Sequence, residues 1–367
     1  MNPTSIVPCP RQQTSCFEPV RSAIASVILA ALAACSGAAK PEAGSGGQAG
    51  MAVAVGGQPV FGGATATGGT TGLGGTTGLG GAGGLCLTFE KAKAVGTIED
   101  TALTELSGLA ASRIHPGVLF AQADTGLPVF VALDPSGKTL GTYTVAGAGA
   151  DDWEDIAVGK GPDGTDVIYI ADIGDNSARD GMGDTRDQIQ IYLVPEPEVS
   201  VGQIPVAQTL TRFETLLFTY PDRPHDAETL MVDPITGDLL IVTKEDDGKS
   251  SVFRAAGTTP VRQATVLQKV ADLTFGVPGS GSAHASGGDI SPSGDRILIR
   301  THTAILLWPR LPDAGWDATF AATPRSLPVP DEPQGEGLTF AADGHSWFSA
   351  GETDPTIYQG KEKQPCR

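Results

Sequence analysis

The chain has 367 residues, of which 40% are hydrophobic and 18% charged, and a formal net charge of −18. Only 24 Lys and Arg stand against 42 Asp and Glu. That deficit excludes a general nucleic-acid binder, which needs clustered basic side chains for phosphate contacts, and it disfavours adhesion of the protein surface to anionic lipid.

Residues 22–34, SAIASVILAALAA, form an apolar run behind Arg21. A positive flank, a short apolar stretch and small residues at its end describe a secretory signal, too short for a comfortable membrane-spanning helix. Leu32, Ala33, Ala34 and Cys35 resemble the bacterial lipobox. The resemblance implies that residues 1–34 are removed and that Cys35 is lipidated, with palmitate expected on it, as the mature N-terminus. Ser36 follows instead of an Asp, which implies the outer membrane of a Gram-negative envelope. An ordinary signal peptide with an incidental cysteine is the alternative. Residues 1–19 are long for the start of a signal, and translation beginning near Val20 also fits. Residues 35–84 then read as a tether. Nineteen of the 49 glycines fall in 36–84, where GGTTGL occurs twice in tandem at 68–79. Such a segment cannot bury a core and has a reach of roughly 40 Å.

Residues 85–367 carry short β-rich runs between Gly, Pro and Asp turns, without helical periodicity. One pattern recurs five times. ELSGLAAS (105–112), DWEDIAV (152–158), DAETLMV (226–232), SGGDI (286–290) and QGEGLTF (334–340) each precede a tight turn and a second strand. Aligned on Leu109, Ile156, Leu230, Ile290 and Leu338, the repeats are 47, 74, 60 and 48 residues apart. Four strands per unit at this spacing predict an all-β fold, a β-propeller of five blades. A sixth, degenerate blade within 199–220 or 261–275 is the alternative. The last unit lacks a fourth strand, and 86–98 has no unit of its own. An N-terminal strand from 86–98 is therefore expected to close the ring. Cys86 and Cys366 would then meet at the closure, and with Cys35 lipidated they are the cysteines left in the mature chain. In an oxidising compartment a disulfide between them is expected, with a stabilisation of about 4–5 kcal/mol in the chain-entropy model. Two free thiols are the alternative.

In a propeller, the start of each innermost strand and the end of its neighbour share one rim. Here that rim gathers Glu105, Asp152, Glu154, Asp226, Glu228, Asp289 and Glu336 with Asp124, Asp172, Lys244, Glu245, Arg300, His302 and Glu352. Crowded carboxylates raise one another's pKa or demand a cation. Hard oxygen donors on loops suit Ca²⁺. Residues 172–180 are the best single candidate, with Asp175 and Asn176 offering side-chain oxygens past Gly174, and pairing to Lys244 and Arg300 is the alternative use of the rim carboxylates. Lys244, Arg300 and Trp153 are candidate ligand-binding residues, Trp153 also being suited to packing a blade. Glu228 and His225 are candidate general bases, His225 serving equally as a turn residue. No GxSxG elbow and no HExxH or HxxxH zinc spacing is present in the sequence.

The motifs SGLA (107–110), DWEDIA (152–157), DIGDN (172–176), DAETLMVD (226–233) and QGEGL (334–338) resemble uncharacterised secreted bacterial propeller proteins. More distantly they are similar to the esterase-like phytase propellers and to the strictosidine synthase and gluconolactonase group. The resemblance spans most of 85–367. It implies calcium in the channel with a substrate above it, and so a metal site built from Glu154, Asp172, Asp175, Asn176, Glu228 and Glu336, while the paired acidic motifs of true propeller phytases are missing here. Two readings follow. One is a lipid-anchored, monomeric binding or scaffold module taking a small molecule, glycan or protein at the channel mouth, with no nucleic-acid partner and membrane contact through the anchor alone. The other is a calcium-dependent hydrolase of an ester, lactone or phosphoester.

Overall fold

Several strands of this protein are apolar on both sides of the sheet, not on alternate residues. Leu119–Ala123, Leu239–Thr243 and Arg296–Thr301 are buried at every position. Such strands need a packing partner on each face. The computed structural model, which describes residues 87–330, 332 and 334–363, shows how they obtain it. The described residues all lie in one unit of the chain, Gly78–Arg367. Among them no helix is long and apolar enough to cross a membrane.

The strands are β1 (Lys93–Thr97), β2 (Leu106–Ala111), β3 (Leu119–Ala123), β4 (Val129–Leu133), β5 (Thr139–Val145), β6 (Trp153–Lys160), β7 (Asp166–Asp172), β8 (Ile189–Pro195), β9 (Val206–Leu210), β10 (Glu214–Thr219) and β11 (Ala227–Val232). They continue with β12 (Leu239–Thr243), β13 (Ser251–Ala255), β14 (Ala264–Val266), β15 (Gln268–Asp272), β16 (Ala285–Ile290), β17 (Arg296–Thr301), β18 (Ala304–Pro309), β19 (Arg325–Ser326), β20 (Gly335–Phe340), β21 (Ser346–Gly351) and β22 (Thr356–Lys361). Two short helices, α1 (Asn176–Asp180) and α2 (Trp316–Phe320), sit in connections.

From the axis outward, blade one is β2-β3-β4-β5, blade two β6-β7-β8-β10, blade three β11-β12-β13-β15, blade four β16-β17-β18-β19 and blade five β20-β21-β22-β1. Each inner strand touches the next, and β20 touches β2, so the ring is closed. The fold is a five-bladed β-propeller. The N-terminal segment supplies the missing outer strand of blade five: β1 pairs antiparallel with β22, placing Lys93 opposite Gln359 and Thr97 opposite Thr356. Farther along, the Lys363 N–H donates to the Thr88 carbonyl at 2.9 Å. The signal, Cys35, the tether, Cys86 and Cys366 lie outside the described residues.

No sixth blade forms. The 199–220 and 261–275 segments each yield a blade's fourth strand, β10 and β15, and also an extra strap. β9 runs parallel to β5 at the outer edge of blade one, and β14 runs parallel to β10 at the outer edge of blade two. These straps are largely exposed, so they lack the two apolar faces that a blade strand buries.

Five hydrophobic clusters hold the ring, one between each pair of neighbouring blades. In β12, Leu239 and Ile241 pack toward blade two while Leu240 and Val242 pack toward blade four. Alternate side chains thus serve different interfaces, which is why the strand reads as one apolar run.

Every inner strand carries a β-bulge at the same place. The register slips between Leu106 and Gly108, Trp153 and Asp155, Ala227 and Thr229, Ala285 and Gly287, and Gly335 and Gly337. The bulged residues are Ser107, Glu154, Glu228, Ser286 and Glu336. A bulge re-aims a side chain. The residue after it is Gly in three blades because the next inner strand lies against it: a Cβ on Gly108 would sit 2.7 Å from the Ile156 nitrogen, and one on Gly287 would sit 2.3 Å from the Glu336 carbonyl oxygen.

This register corrects the alignment of the fourth repeat, whose anchor is Gly288 and not Ile290. Asp289 consequently lies at the far end of β16. There it accepts from the Phe340 N–H at 2.8 Å and pairs with Arg113 at 3.0 Å. Arg113 follows β2 of blade one, and blades one and four are not neighbours, so this ion pair spans the axis on the turn face.

Gly287→Ala is expected to lower the unfolding free energy by about 1–3 kcal/mol, the cost of overpacking a tight site, measured by urea denaturation. A wild-type midpoint would contradict the close approach of β16 to β20.

Candidate functional site

The channel mouth is built from two rings of equivalent positions. The first ring is the bulged set, Ser107, Glu154, Glu228, Ser286 and Glu336. The second consists of the residues just after each neighbouring strand, Asp124, Ile173, Lys244, His302 and Glu352. Together with Glu105, Leu106 and Asn176, most of these side chains line a cavity of ≈ 180 Å³.

Ser107 Oγ donates to the Glu154 carbonyl at 2.6 Å and to Glu154 Oε2 at 3.1 Å. Gly174 is glycine because Glu154 Oε1 and Asp152 Oδ2 occupy the place of its Cβ, 2.4 and 2.5 Å away. Lys244 Nζ donates to Glu228 Oε1. Glu228 Oε2 is buried without a hydrogen-bond partner. His302 Nε2 lies 3.1 Å from Glu336 Oε1 but makes no hydrogen bond. Glu228, His302 and Glu336 each offer a ligand atom within 4.8 Å of the others. Glu105 holds a left-handed conformation at φ 64°, uncommon for a side-chain-bearing residue, and reaches the same cavity.

Burial dominates the electrostatics. It pushes Glu228 up to about 8 against the opposing pull of Lys244, with Glu336 adding to the rise. Glu336 is likewise raised to about 8, by burial first, with Lys244 and Arg300 opposing. Burial, then Glu228, carries Glu154 well above the usual carboxyl range. Asp152 rises to about 6 through burial and then Asp124. Burial, followed by Lys244, lowers His302 to about 4, so its imidazole is neutral at pH 7. Three buried carboxyls therefore share one ammonium, and the site stays near neutrality by holding protons or by taking up a cation.

The residues expected at the site divide into two groups. Glu154, Asn176, Glu228, Lys244 and Glu336 line the cavity. The others are used elsewhere. Asp172 is paired with Arg186 at 2.8 Å and accepts from Gln190 Nε2 at 3.0 Å. Asp175 caps α1, accepting from the Ala178 N–H at 3.0 Å, and takes the Arg186 N–H at 2.7 Å. These two carboxylates are spent on ordering the 172–186 loop and do not join the cavity. Arg300 is buried beside Gly335, bonded to the Gly337 carbonyl at 3.2 Å and to Glu332 at 3.4 Å, so it is a structural residue. Trp153 packs between blades one and two, its Nε1 donating to the Gly149 carbonyl at 2.9 Å, and offers no face to a ligand. His225 lies between Glu245 and Asp222, 3.1 Å from each, and borders a separate hollow beside the mouth. It is not placed as a base for the channel.

Ser107 and Ser286 went unassigned in the sequence, and His302 was placed on the rim without a role. The signal for the serines was the bulge register, which brings Ser286 level with Glu228 once Gly288 is the anchor. His302 follows β17 as Lys244 follows β12, and that equivalence was its signal.

No known family matches this sequence, and no curated protein matches it. Among solved structures the chain is similar to one in the mitotic checkpoint complex, at 12% identity over 70% of this chain and 63% of that chain, with a TM-score of 0.34. It thus spans less than two thirds of that chain's length. It is also similar to a gluconolactonase from Xanthomonas campestris, at 12% identity over 77% of this chain and 99% of that chain, with a TM-score of 0.39.

The pH dependence of stability follows from the raised carboxyls. In the folded state Glu228 and Glu336 hold protons up to about pH 8, whereas unfolded they release them near 4.5. The native state binds more protons in that window, so stability falls as pH rises through it. His302 works in the opposite sense between about 4 and 6.5, which leaves pH 6.5–8 as the clean window. Without added metal, the melting temperature is expected to fall from pH 6.5 to 8, and Glu228→Gln with Glu336→Gln is expected to flatten that slope.

Proposed function

We propose that this chain is a lipid-anchored envelope protein whose propeller binds a divalent cation at the channel mouth and uses it to hold a ligand. One observation carries the reading: Glu228 Oε2 is buried and unpartnered in a cavity lined by further carboxylates. A buried carboxyl oxygen left without a partner is costly, and a cation bound to it would remove that cost. The oxygens of Glu154, Asn176, Glu228 and Glu336 support calcium as an occupant. The cavity, at ≈ 180 Å³, is small, so it suits an ion plus one coordinating group, such as a carboxylate or sugar hydroxyls, more than a whole drug-sized ligand. Its acidic lining repels free anions, so an anionic group would need the ion as a bridge.

The Leu32-Ala33-Ala34-Cys35 sequence and the Gly-rich segment after it support anchorage through Cys35, with the domain held off an outer membrane by roughly 40 Å of tether. Pairing of Thr88 with Lys363 beside the ring closure supports a Cys86–Cys366 disulfide.

A second reading, hydrolysis of an ester, lactone or phosphoester, is favoured by the raised Glu228 and Glu336. Carboxyls that titrate near neutrality can exchange protons with a substrate beside a metal. The two readings differ on Glu228→Gln: a hydrolase loses turnover with its fold intact, and a binding module has no turnover to lose.

Excess Ca²⁺ over chelator is expected to raise the melting temperature of the oxidised mature chain by roughly 5 °C at 100 times the dissociation constant. Glu228→Gln with Glu336→Gln should abolish the rise. No shift with any divalent ion would remove the cation from the reading. In a Gram-negative host, labelled palmitate should enter the wild type and be absent from Cys35→Ser, and equal labelling would refute the anchor.

A further inference from the structure

Resting on the cation-binding reading above, we infer that the ion is a first-row transition metal such as Zn²⁺ or Co²⁺, held by His302 Nε2 together with Glu228 and Glu336. The three ligands come from consecutive blades: Glu228 from β11 of blade three, His302 from the end of β17 in blade four and Glu336 from β20 of blade five. Where blades three and five carry glutamates, blade four carries Ser286, whose Oγ donates to the Gly335 carbonyl at 2.7 Å. A serine is too short to compete with His302 for an ion held by the two glutamates.

The ligand atoms lie close enough to share one ion. Neighbouring donors on a tetrahedral zinc-like ion at about 2.1 Å stand about 3.4 Å apart; His302 Nε2 is 3.1 Å from Glu336 Oε1, and the Glu228 ligand atom lies within 4.8 Å of both. That contact is not a hydrogen bond, and Nε2 has no other partner. Glu228 Oε2 has none either. The three residues are 6%, 8% and 6% exposed in chain order, so solvent does not satisfy these atoms. The imidazole is oriented from behind. His284 packs edge-on against it, ring centroids 5.3 Å apart, and is itself fixed by Asp246 at 2.9 Å. Gly281 leaves room beside Nδ1, where a Cβ would come within 3.0 Å.

The donor set decides the class of ion. Calcium takes six to eight oxygens, and here two expected oxygen donors, Asp172 and Asp175, are committed to Arg186. Imidazole nitrogen suits Zn, Fe, Ni and Cu, and adds little for calcium. Lys244 remains on Glu228 Oε1, so Glu228 would bind the ion through its other oxygen and the charge of the group would stay balanced.

The test is titration of the chelator-treated mature chain with Co²⁺, Zn²⁺ and Ca²⁺, followed by calorimetry and by the visible ligand-field absorption of Co²⁺. We expect Zn²⁺ and Co²⁺ to bind at least tenfold more tightly than Ca²⁺, with Zn²⁺ displacing Co²⁺ and its absorption. His302→Gln should weaken Co²⁺ at least tenfold and alter its spectrum, while Ca²⁺ affinity stays within about threefold. If His302→Gln does not fold, hyperfine-shifted imidazole protons in the NMR spectrum of Co²⁺-loaded wild type give the same answer. Preference for Ca²⁺, an unchanged Co²⁺ spectrum in His302→Gln, or no shifted imidazole signal overturns this inference and leaves cation binding standing. Absence of binding by all three ions overturns both.

Discussion

Five inner strands share one axis, and the rest of the structure depends on how closely their backbones approach there. Gly108, Gly287 and Gly337 lie where the next inner strand leaves no space for a side chain. Adjacent to each is a bulged residue. The bulge lets a strand lean on its neighbour at one position while sending the preceding side chain toward the channel mouth. Packing and function are thus coupled in one short motif. The same slip of register that closes the ring also sets Ser107, Glu154, Glu228, Ser286 and Glu336 at equivalent places around it.

That coupling has an electrostatic consequence. Three of the five places carry glutamate, and the strands around them exclude water, so each carboxyl is desolvated beside others of its kind. Lys244 relieves part of the strain. The remainder is held as bound protons or is available to a cation, and both forms of relief depend on the same desolvation. At the opposite end of the axis the Arg113–Asp289 pair joins non-adjacent blades, so charge there is settled within the chain itself. The two ends of the channel therefore differ in kind: one holds an ion pair between blades and the other retains unpartnered carboxylate and imidazole atoms.

The sheet edges show a similar economy. The long connections around 199–210 and 257–266 strap neighbouring blades together by parallel pairing and do not build a blade. Blade five is completed by the opposite terminus of the domain through β1, so ring closure ties together segments distant in sequence.

Much of this was legible in the sequence, because it follows from local pattern. Apolar runs bounded by Pro, Gly and Asp turns located β4, β5 and β12 at their observed limits, and the unpaired segment before the first repeat pointed to the strand that closes the last blade. Glu154, Glu228, Glu336 and Lys244 were readable as rim residues from repeat position alone, and Asn176 from the oxygen-rich segment after Asp172. Five motifs predicted the five blades that form; what the sequence left open was a sixth, since a strap and a blade strand differ in burial on their two faces, and burial belongs to the assembled ring. The division of the acidic residues was not legible there. Asp172 and Asp175 carry the same side chain as any ligand, and only the fold brings Arg186 against them. Arg300 and Trp153 stood at rim positions in the repeat yet turn into the protein. His302 joins Glu228 and Glu336 in one group only because the ring sets three consecutive blades side by side. A linear repeat determines which residues reach the rim. Which of them share a cavity depends on side-chain direction and on neighbours from other blades, and those exist only after the ring has closed.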